Sequence, residues 1–245
     1  IYTNLGNLFD TVGRFVEALE YYDKALELNP QFSMAVGNKG ITLFHYGKSL
    51  HNCYEKILFL KKSSEYLRKA IDIEADIIAK KAFQDYYQKC ESGLKQTNCK
   101  NNRKKVSGNP LGNSDEERKY RSWCLKHQLF LNPLNDISAI PDAANDNLLL
   151  PPLTLHIDNP PVYLEYFNQL KQEYVSARFV FYQSIISKKP HFSDRCVPLV
   201  DTLNYSLFST NIEGLKTSFR VFYSIFDKIG FFMNKYLDLK IPENQ

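Results

Sequence analysis

Arg121 and His127 stand six positions apart at the front of the aromatic-rich run YRSWCLKHQLFLNPLNDI, Tyr120 to Ile137. An imidazole titrates near neutrality, so it can take a proton from a ribose 2′-OH or return one to a leaving 5′-oxygen. A guanidinium can grip a phosphate through two parallel hydrogen bonds and stabilise charge as it builds there. Together they are groups that could cut RNA without a metal. Their spacing works against them within one helix, because positions i and i+6 point about 120° apart. They converge on one phosphate only if the helix frays or if two subunits supply one group each. Otherwise they decorate a structural helix.

Other cations compete for the role. Lys100, Arg103, Lys104 and Lys105 form the densest basic cluster, inside the Asn-, Gly- and Ser-rich stretch KQTNCKNNRKKVSGNPLGNSDEER. Such a cluster releases counter-ions from a phosphate backbone, although most charge runs are solvated surface. Arg178 has Tyr174, Phe181 and Tyr182 within a turn or so, which predicts partial burial and a need for a partner. Asp227 would supply it across two long helices. The rival expectation sets Arg178 or Arg220 in a phosphate-binding cleft with His127. His156 and His191 fall in proline-bounded loops, as solvent-exposed residues.

The chemistry these residues exclude is clearer. No C-x-x-C spacing, no His/Cys cluster and no Gly-rich phosphate loop is present, so neither a cofactor nor a metal is expected. The five cysteines, odd in number, fit reduced thiols and a cytoplasmic location. A net charge of +4 is too small to argue for nucleic acid from total charge alone. No stretch is apolar enough for a membrane span.

The elements that must position these groups are helical throughout, and the predicted fold class is all-α. YTNLGNLFDTVGRFVEALEYYDKALELNP reads as two helices broken near Thr11-Val12-Gly13. Gly6 and Ala18 allow the two helices close approach, Ala25 leaves room for a following repeat, and Pro30 ends the second helix. This stretch resembles a tetratricopeptide repeat. A second copy starts about 34 residues on, with Gly40 in the place of Gly6 and Leu43 in that of Phe9. The match then slips, and Ala70 falls later than the period allows, so an insertion around HYGKSLHNCYEKILFLKK lengthens the first helix or the turn. A further helix near 77–94 caps the stack. Repeats cannot bury their faces alone, and the chain opens at Ile1 without a Met, so a fragment of a longer array is expected. The repeat region, 1–94, would offer a groove to a protein or peptide partner or serve as a scaffold. Residues 95–113 read as a basic polar linker.

From Ser114 a helix begins, with Ser114 as N-cap and Asp115, Glu116 and Glu117 at the positive end of its dipole; Asn132-Pro133 is expected to end it. The proline-rich stretch 135–161 should wrap a surface rather than form core. A long helix follows, with a seam of Tyr163, Phe167, Leu170, Tyr174, Ala177, Phe181 and Ile185. After a shorter helix near 199–208 the last helix carries Leu215, Phe219, Phe222, Phe226, Ile229, Met233 and Tyr236 in alternating four-three steps. Antiparallel helices with such seams make a bundle.

YRSWCLKHQLFLNPLNDI, VYLEYFNQLKQEYVSARFVFYQSI and LKTSFRVFYSIFDKIGFFMNKYLDL together resemble the HEPN domain found behind tetratricopeptide repeats in bacterial proteins. The resemblance covers 114–245, where a last helix is expected to be missing. It implies a metal-independent ribonuclease whose Arg and His act across a homodimer interface near the start of a late helix. Arg121 and His127 satisfy the family's spacing but lie in the domain's first helix. The resemblance further implies a role in defence or stress, with RNA as a partner. The alternative is a non-catalytic module that dimerises and binds protein or nucleotide.

Overall fold

The computed structural model describes residues 1–73, 76–96, 111–150, 162–187, 189–197 and 208–242. Among them the secondary structure is helical and contains no strand. The expected all-α class holds. The basic cluster at 100–105, the proline-rich residues 151–161 and the predicted helix near 199–208 lie outside the described residues, apart from Phe208.

The first helices follow the repeat logic. α1 (Tyr2–Thr11) and α2 (Phe15–Leu28) form the first hairpin. The turn between them carries Gly13 at φ +77, a left-handed conformation in which a side chain is strained. Gly6 is required for a different reason. A Cβ there would lie 2.6 Å from the Tyr22 ring, which is itself 1% exposed. Burial pushes the Tyr22 hydroxyl up to about 12, and that hydroxyl donates to Asn7 Oδ1 at 2.8 Å.

α3 (Ser33–Ser49) and α4 (Cys53–Asp72) form the second hairpin, and α5 (Ile77–Gln96) follows. α3 and α4 are 17 and 20 residues long against 10 and 14 for α1 and α2. The extra residues that break the repeat period therefore lengthen both helices of the second hairpin, not one helix or the turn. Asn52 caps α4, accepting from the Tyr54 and Glu55 amides.

The α3–α4 hairpin has apolar groups on two sides. On one side Val36, Phe44, Leu60, Leu67 and Ala70 pack with Phe83 and Cys90 of α5. On the other, Leu43 and Phe59, joined by Leu19 of α2, pack with Cys124, Leu125, Phe130, Leu134, Ala143 and Ala144. The second set comes from α6 (Asp115–Lys126), α7 (Pro133–Ile137) and the 3-10 turn Pro141–Ala143. Three polar ties reinforce it: Tyr46 Oη donates to Asp136 at 2.6 Å, Tyr54 Oη to Asp142 at 2.5 Å, and Asn147 Nδ2 to Glu55 Oε1 at 2.5 Å. Residues 1–148 thus form one compact unit and 149–245 another. In the packing, the division falls after Leu148 rather than after residue 113.

Two local expectations are corrected here. α6 stops at Lys126, and Asn132-Pro133 starts a helix instead of ending one. The reason is local chemistry: Asn132 Oδ1 accepts from the Leu134 amide, and Pro133 occupies the first turn, where its missing N–H is harmless. The stretch after it also contributes core, since Leu134, Asn135, Ala143 and Ala144 are buried.

In the second unit α8 (Val162–Ile186) and α9 (Thr210–Tyr236) pack antiparallel. Tyr163 near the start of α8 donates to the Lys235 carbonyl near the end of α9, and Gly214 meets Ser184 at the other end. Their shared core is Leu170, Ile225 and Phe232, with Tyr163, Phe167, Tyr174, Phe222 and Tyr236 around it. The predicted α8 seam therefore faces α9 at most positions. The α9 seam does so only in part. Phe219 and Phe226 are 69% and 72% exposed, and Met233 and Ile229 are exposed as well. The buried line instead runs through Ser218, Ile225 and Phe232.

Among the described residues no helix is long and apolar enough to cross a membrane. Cys90, Cys124 and Cys196 are free thiols, whereas Cys53 is disulfide-bonded, which departs from the expectation of reduced cysteines throughout. Pairing depends on how closely two chains approach, which residue spacing does not encode.

Candidate functional site

α6 carries the proposed Arg–His pair. Its start is fixed by the predicted cap: Ser114 Oγ accepts from the Glu117 amide at 3.1 Å, with Asp115, Glu116 and Glu117 in the first turn. The helix is unbroken between Arg121 and Lys126, and His127 is its C-cap. The two side chains therefore leave the helix on different faces.

Arg121 is engaged with its own unit. One arm of the guanidinium lies 3.0 Å from Glu117 Oε1, one turn earlier, and the other donates to the Ala144 carbonyl at 2.9 Å. This fork ties the chain after α7 back onto α6. Glu117 in turn accepts from the Asn113 amide at 3.0 Å. His127 is exposed, and its ring lies 5.1 Å from that of Trp123.

Beneath them, two asparagines of the NPLN phrase stitch the segment together. Asn135, 1% exposed, donates to the Leu125 carbonyl at 3.1 Å and accepts from the Phe130 amide at 3.2 Å. Asn132, 4% exposed, donates to the Ala143 carbonyl at 3.3 Å. Buried amides fully used in this way hold a loop in one conformation. The buried asparagines of this phrase hold the segment's own backbone.

The buried acids belong to the same seam. Burial pushes the Asp136 carboxyl above the usual carboxylate range, an effect that the Tyr46 hydrogen bond partly offsets. Burial also raises Glu55, against the hydrogen bond from Asn147. Both stand where the 111–148 segment crosses α3 and α4.

The remaining predicted cations are dispersed. Arg178 is 2% exposed, with its guanidinium 5.5 Å from the centre of the Tyr174 ring. That depth keeps it from a polymer phosphate in this arrangement. In place of the expected Arg178–Asp227 pair, Asp227 is exposed and, among the described residues, its neighbour Lys228 pairs with Glu173 across α8 and α9 at 2.6 Å. That pair holds the Glu173 carboxyl below its usual range. Arg220 is exposed on the outer side of α9. His127 belongs to the first compact unit, and Arg178 and Arg220 to the second. Among the described residues no group of three or more His, Cys, Asp and Glu residues suited to a metal is found.

The repeat unit also holds an open groove of about 870 Å³ along α3, α4 and α5. Phe44 and Leu60 give it an apolar floor, and Lys48, Lys56 and Lys89 line it together with one acid, Asp85.

Comparison with known families places both ends of the chain. Residues 1–32 match the tetratricopeptide repeat and residues 154–245 the LA2681-like HEPN domain. No curated protein and no solved structure matches the chain. Arg121 and His127 precede the residues matched to HEPN, whereas Arg178 and Arg220 fall within them. The chain is thus similar to a tetratricopeptide repeat at its start and to the LA2681-like HEPN domain at its end.

Proposed function

We propose that the chain is a metal-independent, HEPN-type endoribonuclease whose repeat unit docks a protein segment. The observation that carries this reading is the HEPN match over 154–245 behind a tetratricopeptide repeat. In the reaction, His127 takes the 2′-OH proton, the 2′-oxygen attacks phosphorus, and the P–O5′ bond breaks. Protonated imidazole or water returns a proton to O5′. Arg121 stabilises the charge on the phosphate. Because the two residues leave α6 on different faces, each site would draw one group from each of two subunits. The products are a 2′,3′-cyclic phosphate and a 5′-hydroxyl. The lysine-lined groove of α3 to α5 suits an acidic peptide with an apolar residue for the floor.

A second reading is a non-catalytic interaction module. The engagement of Arg121 with Glu117 and Ala144, before the matched residues, favours it. Incubation of the full chain with total RNA in EDTA separates the two. Cleavage to cyclic-phosphate ends, lost in both Arg121→Ala and His127→Ala, supports the nuclease with this pair. Cleavage that survives both variants moves the site elsewhere, and its absence, with the partner peptide added, supports the module.

A further inference from the structure

A smaller pocket, of about 160 Å³, opens on the side of the α3–α4 hairpin that carries Leu43, away from the groove floored by Phe44 and Leu60. Three ammonium groups meet in it: Lys39 of α3, Lys62 of α4 and Lys126 of α6. They come from three helices and from distant positions in the sequence, so the tertiary structure assembles them, not a run of like charge. Lys39 is 9% exposed, a depth at which an ammonium group requires partners. It has the Asp23 carboxylate and the face of the Tyr66 ring, 4.9 Å away. Lys62 stands 5.7 Å from the centre of the same ring. Two ammonium groups beside one ring repel each other, and an anion between them relieves that. The acids at hand are already committed. Asp23 pairs with Lys39, and Asp136 accepts from Tyr46. Burial also raises the Asp136 carboxyl, which disfavours its charged form. Glu65, which pairs with Lys62 at 3.1 Å, is 66% exposed and does not line the pocket. Lys126 forms no ion pair among the described residues.

We propose that this pocket takes one phosphoryl group, as inorganic phosphate or as the terminal phosphate of a small monoester. A tetrahedral dianion presents acceptors in every direction, which suits ammonium donors arriving from α3, α4 and α6. The Ser138 hydroxyl and the Gln128 carboxamide, also in the lining, add neutral donors. Size decides what else can enter. A volume of 160 Å³ is the share of about five waters, enough for phosphate with at most a small sugar. An internal phosphodiester does not fit, because its strand must leave in two directions. Bound phosphate cross-links the repeat helices to the 111–148 segment lying over them, and so stabilises the first unit by mass action.

No RNA cleavage is read in the test, so its failure and that of the ribonuclease reading are separate results. The full chain is titrated calorimetrically and melted with inorganic phosphate and with ribose 5-phosphate, at constant ionic strength. One saturable site with a Kd below about 1 mM is expected, together with a Tm that climbs with ligand. Binding of either ligand supports the site, and a preference names the source of the phosphoryl group. Lys62→Gln and Lys126→Gln, with circular dichroism confirming their fold, should each weaken binding about tenfold or more. Lys126→Arg keeps the charge and should retain most of the affinity. Lys119→Gln alters an exposed α6 lysine outside the pocket and should change nothing. Neither saturation nor a Tm shift up to about 10 mM of both ligands overturns the proposal. So does an equal loss in Lys119→Gln and Lys126→Gln, which would mark general attraction of charge. Competition by an RNA oligomer with hydroxyl ends as strong as that by phosphate overturns it too.

Discussion

Replacing Arg121 separates its structural work from any catalytic work. The guanidinium bridges Glu117 at 3.0 Å and the Ala144 carbonyl at 2.9 Å. An exposed i,i+4 ion pair contributes about 0.5 kcal/mol. A charged hydrogen bond to a buried carbonyl contributes about 1.5–3 kcal/mol, and the lower half applies here because the side chain is 34% exposed. Arg121→Ala should therefore destabilise the first unit by about 2 kcal/mol, or about 4–8 °C in Tm for a chain of this size. Arg121→Lys keeps the charge but not the fork, and should lose about half as much. Thermal melts give the magnitude, and hydrogen exchange gives the place. The amides of Leu131 and Leu148, which donate to Asp146 Oδ1 and to the Leu131 carbonyl, should exchange faster in Arg121→Ala. A loss of about 2 kcal/mol leaves the chain overwhelmingly folded. A fall in RNA cleavage of about a hundredfold or more would then report chemistry rather than unfolding. An unchanged melt together with unchanged exchange at Leu131 and Leu148 would refute the structural role.

Two further predictions concern the repeat unit. A Cβ on Gly37 would lie 2.1 Å from the Phe83 ring, which is 1% exposed, so Gly37→Ala should lower stability by about 1–3 kcal/mol despite the better helix propensity of alanine. A denaturant titration showing a gain would mean that α3 and α5 are not in this contact. Burial raises the Asp136 carboxyl in the folded chain, so its contribution to stability is complete below the unfolded carboxylate value, about 4, and is lost as pH rises through the folded one. Asp136→Asn removes that titration; as pH rises from about 4 the wild type should lose ground against the variant. Parallel stability profiles for the two proteins would contradict it.

Periodicity in the sequence was enough for the all-α class, for the first repeat and for the existence of α5, α8 and α9. These elements are specified locally, by Gly6 against Tyr22, by caps such as Ser114, and by three-four spacing. The proposed function was legible only through family resemblance, carried by aromatic helices rather than by a compact motif.

What the sequence could not decide was which surfaces meet. A helix apolar on two neighbouring lines has the same spacing on both, so nothing in α9 by itself says that Ile225 and Phe232 turn inward while Phe226 and Met233 face out. The same holds for 111–148, whose helix looks like the opening of the C-terminal bundle yet buries Cys124, Leu125 and Leu134 against Leu43 and Phe59. Amphipathicity states that a face must be covered, and only the tertiary structure chooses the cover, because burial is non-directional and any apolar surface of the right shape will serve.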